Sequence, residues 1–438
     1  MTRLAVPEGV SPRGRASLLR AGFGCAALLI ASGALAQRFE VKRPTTLIVG
    51  PPRGPCPEDR VDAMRSGRAR TALPTGTLRI DWHHAVGQEV DHAPLVTEDG
   101  DVVVLGARGD AVTLDKEGGE RHRVSVGIGT TGPGAVLSDG TVALINGAGE
   151  VVGIRGGAVR FRTRVGERGA TVRAAPLALE DGGVVVGDGT DLIALDGAGN
   201  VRARTTLPEQ VAAPLLAAQG KVVAVGLSGA VFLWPPGRDA ARAGSFGSPV
   251  DGGAALADAR TLVGVVESSH LAALDLEQGV VVTRTVAAGG FLLGPPSLRG
   301  QTAYMLADTP GALLAVGVDA SGHEVLRAVV NTTPASALGD GGPPSPPLGS
   351  HATLTDAAGT LAFATPDGTV GVVTAWGAVE TLGDPLCLRG ATSRGPVVIA
   401  GVVPSFRVPQ AVTGLVPAGP GAFLVACQSG LLSRVSAP

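Results

Sequence analysis

A unit of about 40 residues repeats along this chain, and that period constrains its fold more than any other feature. The window 93–126, APLVTEDGDVVVLGARGDAVTLDKEGGERHRVSV, shows the unit in full. Pro94-Leu95-Val96 opens a first short strand. Asp99-Gly100 is a tight hairpin turn, in which the glycine tolerates positive φ. Val102 to Leu105 is a continuous apolar strand, the pattern of burial on both faces. Arg108-Gly109 turns again, Ala111 to Leu114 forms a third strand, Gly118-Gly119 turns, and His122 to Val126 makes a more polar fourth. Four strands joined by three tight turns form an antiparallel meander.

The same text returns from Pro133, Pro176, Pro214, Pro249, Pro296, Pro347 and Pro417. The third strand ends near residues 115, 155, 196, 234 and 275, at intervals of 40, 41, 38 and 41. This spacing fits propeller blades of four strands each. Helical repeats of similar length would show a helix-period stripe, which these units lack. The fold expected is therefore all-β: a β-propeller of eight four-stranded blades, with seven as the alternative count because the last two units are irregular. The eighth unit stops after its third strand, Leu431 to Val435. The missing strand is available as Thr77 to Trp82, ahead of the first full unit, and pairing the two would close the ring and remove an exposed edge. Two long insertions break the period, Asn331 to Gly349 and roughly Gly383 to Gln410; they read as inter-blade excursions.

The first 36 residues read as a secretory signal. Arg3, Arg13, Arg15 and Arg20 precede an uncharged stretch, Ala21 to Ala36, that ends in Ala34-Leu35-Ala36 and suits cleavage before Gln37. At 16 residues the stretch is short for a membrane span, which needs about 20. Cys25 lacks the preceding apolar run of a lipidation site. The domain reading is a signal peptide over 1–36, an extended lead-in over 37–76 and a single propeller over 77–438. Localisation is expected to be periplasmic or extracellular, with no transmembrane segment in the mature chain. Cleavage removes four Arg and one Glu, moving the net charge from −2 to −5, which disfavours nucleic acid and anionic lipid as partners. Basic residues are nearly all Arg, and with 66 Gly and 32 Pro this composition reflects a GC-rich bacterial genome rather than a function. Cys56, Cys387 and Cys427 remain after cleavage, and an exported protein can oxidise two of them. Cys427 sits within an apolar strand, whereas Cys56 and Cys387 lie in Pro-containing loops, so a Cys56–Cys387 bridge is expected, with Cys387–Cys427 as the rival.

Chemistry is sparsely marked. Asp81, His83 and His84 with Asp91 and His92 gather three of the seven His. Adjacent residues on a strand point to opposite faces, so only one of His83 and His84 could join His92 on a metal. A polar outer strand with Trp82 packed on the next blade explains the segment without an ion. Glu98-Asp99-Gly100-Asp101 and the run from Asp196 to Asn200 match no complete calcium loop, and Asp-Gly turns account for them. GxSxG, HExxH and P-loop motifs are missing from the sequence. No catalytic, cofactor-binding or metal residue is assigned, and no cofactor is expected.

Leu114-Asp115 with Gly118, Leu195-Asp196 with Gly199, and Leu274-Asp275 with Gly279 resemble the PQQ-like repeat. Trp82 in the closing outer strand, and DAMRSGRARTALP over Asp62 to Pro74, are similar to the closing strand and lead-in of that superfamily. The resemblance covers about residues 60 to 437. It implies either a quinoprotein dehydrogenase, with pyrroloquinoline quinone and calcium, or a non-enzymatic propeller such as the scaffold of the outer-membrane β-barrel assembly machine. The enzymes carry adjacent cysteines and a Trp at most blade ends; here no two Cys are adjacent, and Trp82, Trp234 and Trp376 are the only Trp. The reading favoured is a non-catalytic, monomeric, exported propeller that serves as a scaffold for a protein partner in the cell envelope. The alternative is a ligand-binding or quinone- or metal-dependent propeller enzyme with its site at the central opening.

Overall fold

The structure, a computed structural model, describes residues 54–58, 60–129, 132–166, 173–286, 289–332, 353–365, 368–383, 386–387 and 412–438. The signal segment and nearly all of both insertions lie outside the described residues.

Eight four-stranded antiparallel sheets form the blades of a β-propeller. Blades 1 to 7 take their strands consecutively from residues 95–125, 135–164, 173–206, 216–245, 250–286, 291–331 and 353–381. In each, the second and third strands are apolar on both faces, as with Val102–Leu105 and Val142–Ile145, because both faces pack against neighbouring blades. The outer strands alternate and are largely exposed, as in Glu120–Ser125 and Val201–Thr206.

Blade 8 joins the two ends of the chain. Val412–Pro417, Ala422–Cys427 and Leu431–Ser436 supply three strands, and Arg79–Ala85 adds the fourth against the last of these. Trp82 pairs with Arg434 and His84 with Leu432. Asp81 fixes the register by accepting hydrogen bonds from Arg434 and, at 2.7 Å, from the Ser436 hydroxyl. The closing strand read from the sequence is thus in place.

The repeated Leu-Asp and following Gly have a physical explanation. Asp115 Oδ1 accepts from the Glu117 and Gly119 amides at 3.0 and 2.8 Å, and Asp196 Oδ1 from Ala198 and Asn200 at 2.9 and 2.8 Å. The Asn200 amide holds the Asp196 carboxyl below the usual aspartate range. Each such turn puts a glycine where the outer strand of the preceding blade must pack. Gly118 has φ +86°, and a Cβ there would lie 2.7 Å from the Trp82 ring. The Trp82 indole also donates to the Lys116 carbonyl at 3.0 Å. Phe161 occupies the same place over Gly199, and His122 over Gly157.

The disulfide differs from the expected one. Cys387 is bonded to Cys427, with a Cα separation of 5.5 Å, and Cys56 is a buried thiol. Cys56 pairs through its backbone with Val96 of blade 1, and its Sγ donates to the Glu58 carbonyl, so it is committed elsewhere. Cys427 ends its strand, where it meets the chain entering blade 8. The bridge closes a separation of 40 residues, so its reduction is expected to destabilise the protein by about 3–4 kcal/mol in the loop-entropy treatment. Non-reducing peptide mapping should recover the Cys387–Cys427 pair, with Cys56 alkylated only after denaturation; a Cys56-containing disulfide would contradict this.

Candidate functional site: the occupied centre of the ring

The inner strand of every blade presents one edge to the ring centre, and an unpaired edge carries amides and carbonyls that need partners. Residues 56–73 supply them. The Val96 amide of blade 1 donates to the Cys56 carbonyl at 2.7 Å, and Val136 of blade 2 to Pro57 at 2.7 Å. Ala178 of blade 3 donates to Glu58 Oε1 at 3.0 Å. Ala217 of blade 4 donates to Ala63, Leu256 of blade 5 to Met64, and Leu298 of blade 6 to Ser66, at 2.7–2.9 Å. Thr355 of blade 7 donates to Gly67, and in blade 8 Gly421, in the turn after the inner strand, donates to Ala72, each at 2.9 Å. The segment therefore runs once round the interior and bonds all eight blades in chain order.

Two arginines complete the plug. Arg60 donates from Nε to the Arg65 carbonyl at 3.0 Å, from Nη1 to Pro295 at 3.2 Å, and from Nη2 to Pro296 and to Ser297 Oγ. Arg65 donates from Nε to Leu215 at 2.8 Å and from Nη2 to Pro176 at 2.7 Å, while Nη1 lies 3.4 Å from Glu58 Oε2. Arg65 is 0% exposed and Glu58 2%, so the pair is tolerable only because backbone groups also bind both side chains. Pro176, Pro295 and Pro296 sit on inner strands, where a missing amide matters least and the carbonyl is left to face a donor. A guanidinium fork suits this task, since its fixed donors reach several carbonyls at once.

The backbone pays a conformational cost for following the ring. Arg60, Val61 and Arg65 have φ of 53°, 82° and 54°, and a β-branched residue at positive φ is a genuine outlier. Asp62 holds the bend, its Oδ1 accepting from the Met64 and Ser66 amides at 3.1 and 3.0 Å. Gly67 is needed at the far side, because a Cβ there would lie 2.5 Å from Ser297 Oγ.

The sequence candidates fall elsewhere. His83 and His84 lie on the closing outer strand; His84 Nε2 is 3.6 Å from Glu120 of blade 1. Asp81 binds Arg434. Among the described residues, no group of three or more His, Cys, Asp or Glu is placed to share a metal ion. Asp101 pairs with Arg121 at 3.2 Å, and Asp196 closes its own turn. Residues 56–73 were legible only as a lead-in. The available signal was the charged run from Glu58 to Arg70 in a chain of otherwise low charge.

No protein-family model matches the chain, and no curated relative matches it. Solved structures do. BamB from Moraxella catarrhalis superposes with a TM-score of 0.56 at 14% identity, covering 83% of this chain and 98% of that one. The computationally designed Ika8 protein superposes with a TM-score of 0.60 at 13% identity, covering 84% of this chain and all of the designed one. At these identities the likeness establishes the propeller fold.

Proposed function

We propose that this protein is an exported, non-catalytic propeller that acts as a protein-interaction scaffold in the cell envelope. The observation that carries this reading is the occupied centre: the place where an enzymatic propeller would hold its ligand is filled by residues 56–73 of the chain itself. What remains for partners is the blade turns and the outer rim, the surfaces from which propellers present binding loops. The fold shared with BamB and the resemblance of the repeats to a β-barrel assembly scaffold support the same reading. The signal reading of residues 1–36 supplies the compartment, and no helix among the described residues is long and apolar enough to cross a membrane.

The test is crosslinking in intact cells with a C-terminally tagged protein at native expression level. The reading expects a mature N-terminus at Gln37 and a discrete complex of defined stoichiometry with an envelope protein. Retention of Met1, or a protein that stays uncrosslinked and monomeric in the envelope, would count against it.

A further inference from the structure

Between blades 1 and 2, beside the bonds that Val96 and Val136 make to the plug, lies a cleft of about 550 Å³. Its wall is apolar: Val103, Val136, Val142 and Ile154 face it and are otherwise buried in the two blades. Ligand sites run from about 300 to 1,000 Å³, so the cleft is large enough to hold several side chains. Its mouth is acidic. Glu98, Asp99, Asp101 and Asp139 line it, with Arg155 as the one guanidinium among the lining residues. Asp139 lies 3.4 Å from Arg155, and Asp101 lies 3.2 Å from Arg121. Glu98 and Asp99 are exposed and have no ion-pair partner among the described residues. The surplus negative charge therefore sits on the turn that follows the inner strand of blade 1.

The chain reaches the plug at that same turn. A Cβ on Gly54 would lie 2.5 Å from the Thr97 carbonyl carbon and 2.7 Å from the Glu98 amide nitrogen, and Cys56 pairs with Val96. Ahead of Gly54 stands QRFEVKRPTTLIVGPPR, residues 37–53, which lie outside the described residues. Arg38, Lys42, Arg43 and Arg53 against Glu40 give it a net charge of +3, opposite in sign to the mouth of the cleft. Arg38-Phe39-Glu40-Val41-Lys42 alternates, a pattern that sets Phe39 and Val41 on one face of an extended segment and the charged residues on the other. Arg43 stands 11 residues before Gly54. That length reaches up to about 36 Å, whereas a four-stranded blade is about 15 Å across. A second cleft, of about 590 Å³ between blades 8 and 1, touches Pro55, but its charges balance: Asp81 and Glu117 stand against Lys116 and Arg434. Charge thus selects the blade 1–2 cleft.

We propose that residues 38–43 of this chain dock in the blade 1–2 cleft, with Phe39 and Val41 against Val103, Val136 and Ile154, and with Arg38 and Lys42 at the Glu98 and Asp99 carboxylates. The lead-in then does outside the ring what the plug does within it: residues of the same chain cover a gap that the blades leave. Exposed ion pairs add little to the stability of the whole, so the docking is read at the cleft and not from the melting temperature. The inference goes beyond the scaffold reading and does not depend on it.

The test uses the protein expressed with its own leader and purified with the photo-crosslinking residue p-benzoylphenylalanine in place of Val41. Illumination should join position 41 to Val103, Val136 or Ile154 of the same molecule, and a mixture of unlabelled and nitrogen-15-labelled protein should give no mixed-isotope product. Arg38→Glu with Lys42→Glu, which leaves the blades untouched, should lower the yield by at least about five-fold, as should Glu98→Lys with Asp99→Lys. Combining all four substitutions should restore it. Products at Trp82, Lys116 or Leu424 of the blade 8–1 cleft, mixed-isotope products, or no product at the apolar wall would each overturn the proposal. So would a yield that neither charge reversal lowers, or one that the combined variant fails to restore. Failure here would leave the scaffold reading intact, because that reading is tested by crosslinking to envelope proteins in cells and does not involve this cleft.

Discussion

Replacing Arg65 by Met is expected to lower the stability of the whole ring by about 3–5 kcal/mol, the range for breaking a buried ion pair from one side. The substitution keeps the apolar stem but removes the donors to Leu215 and Pro176 and leaves the Glu58 carboxylate buried beside them. Because the affected groups belong to blades 3 and 4 and to the plug that bonds every other blade, urea unfolding should remain a single transition, moved to lower denaturant. Adding Glu58→Gln should restore part of the loss, since the uncompensated charge is then gone. Arg155→Met is the control: its pair with Asp139 is about half exposed and should matter by less than about 0.5 kcal/mol. Equal effects at Arg65 and Arg155 would mean that the plug is not a structural pin.

Deleting residues 77–84 should be as damaging. It removes most of the closing strand, exposes the edge of Leu431–Ser436, and takes Trp82 from the wedge with blade 1. The expected loss exceeds about 4 kcal/mol, beyond most single substitutions. Deleting residues 37–55 ends just ahead of the first inner-strand bond, at Cys56, and should have a much smaller effect on the melting temperature. Identical melting temperatures for the two truncations would contradict ring closure by the N-terminal strand.

The blades were legible in the sequence because the information is local and repeated. Glycines at fixed offsets, apolar second and third strands and Leu-Asp turn openings each encode one hairpin, and eight copies make the period visible. The closing strand was legible for a different reason: the last unit lacked a fourth strand, and one orphan strand stood before the first. The plug had neither advantage. It occurs once, and most of its partners are backbone atoms, as far away as Pro296, 236 residues from Arg60, which leave no side-chain signature. The cysteine pairing failed similarly. Cys427 reads as one more buried strand residue, and nothing in its neighbourhood shows that Cys387 is brought to the end of that strand.

Hydrogen exchange at the inner-strand amides tests the central claim most directly. If residues 56–73 pin all eight blades, the inner-strand amides of Val96, Val136, Ala178, Ala217, Leu256, Leu298 and Thr355, and the amide of Gly421 in the first turn of blade 8, are bonded to the plug and should exchange only through global unfolding, with one common free energy. In the Arg65→Met protein all eight should lose protection together and by the same amount as the measured drop in stability. Rapid exchange at these positions in the wild-type protein, as at an open sheet edge, would contradict the account, as would protection that falls in blades 3 and 4 alone.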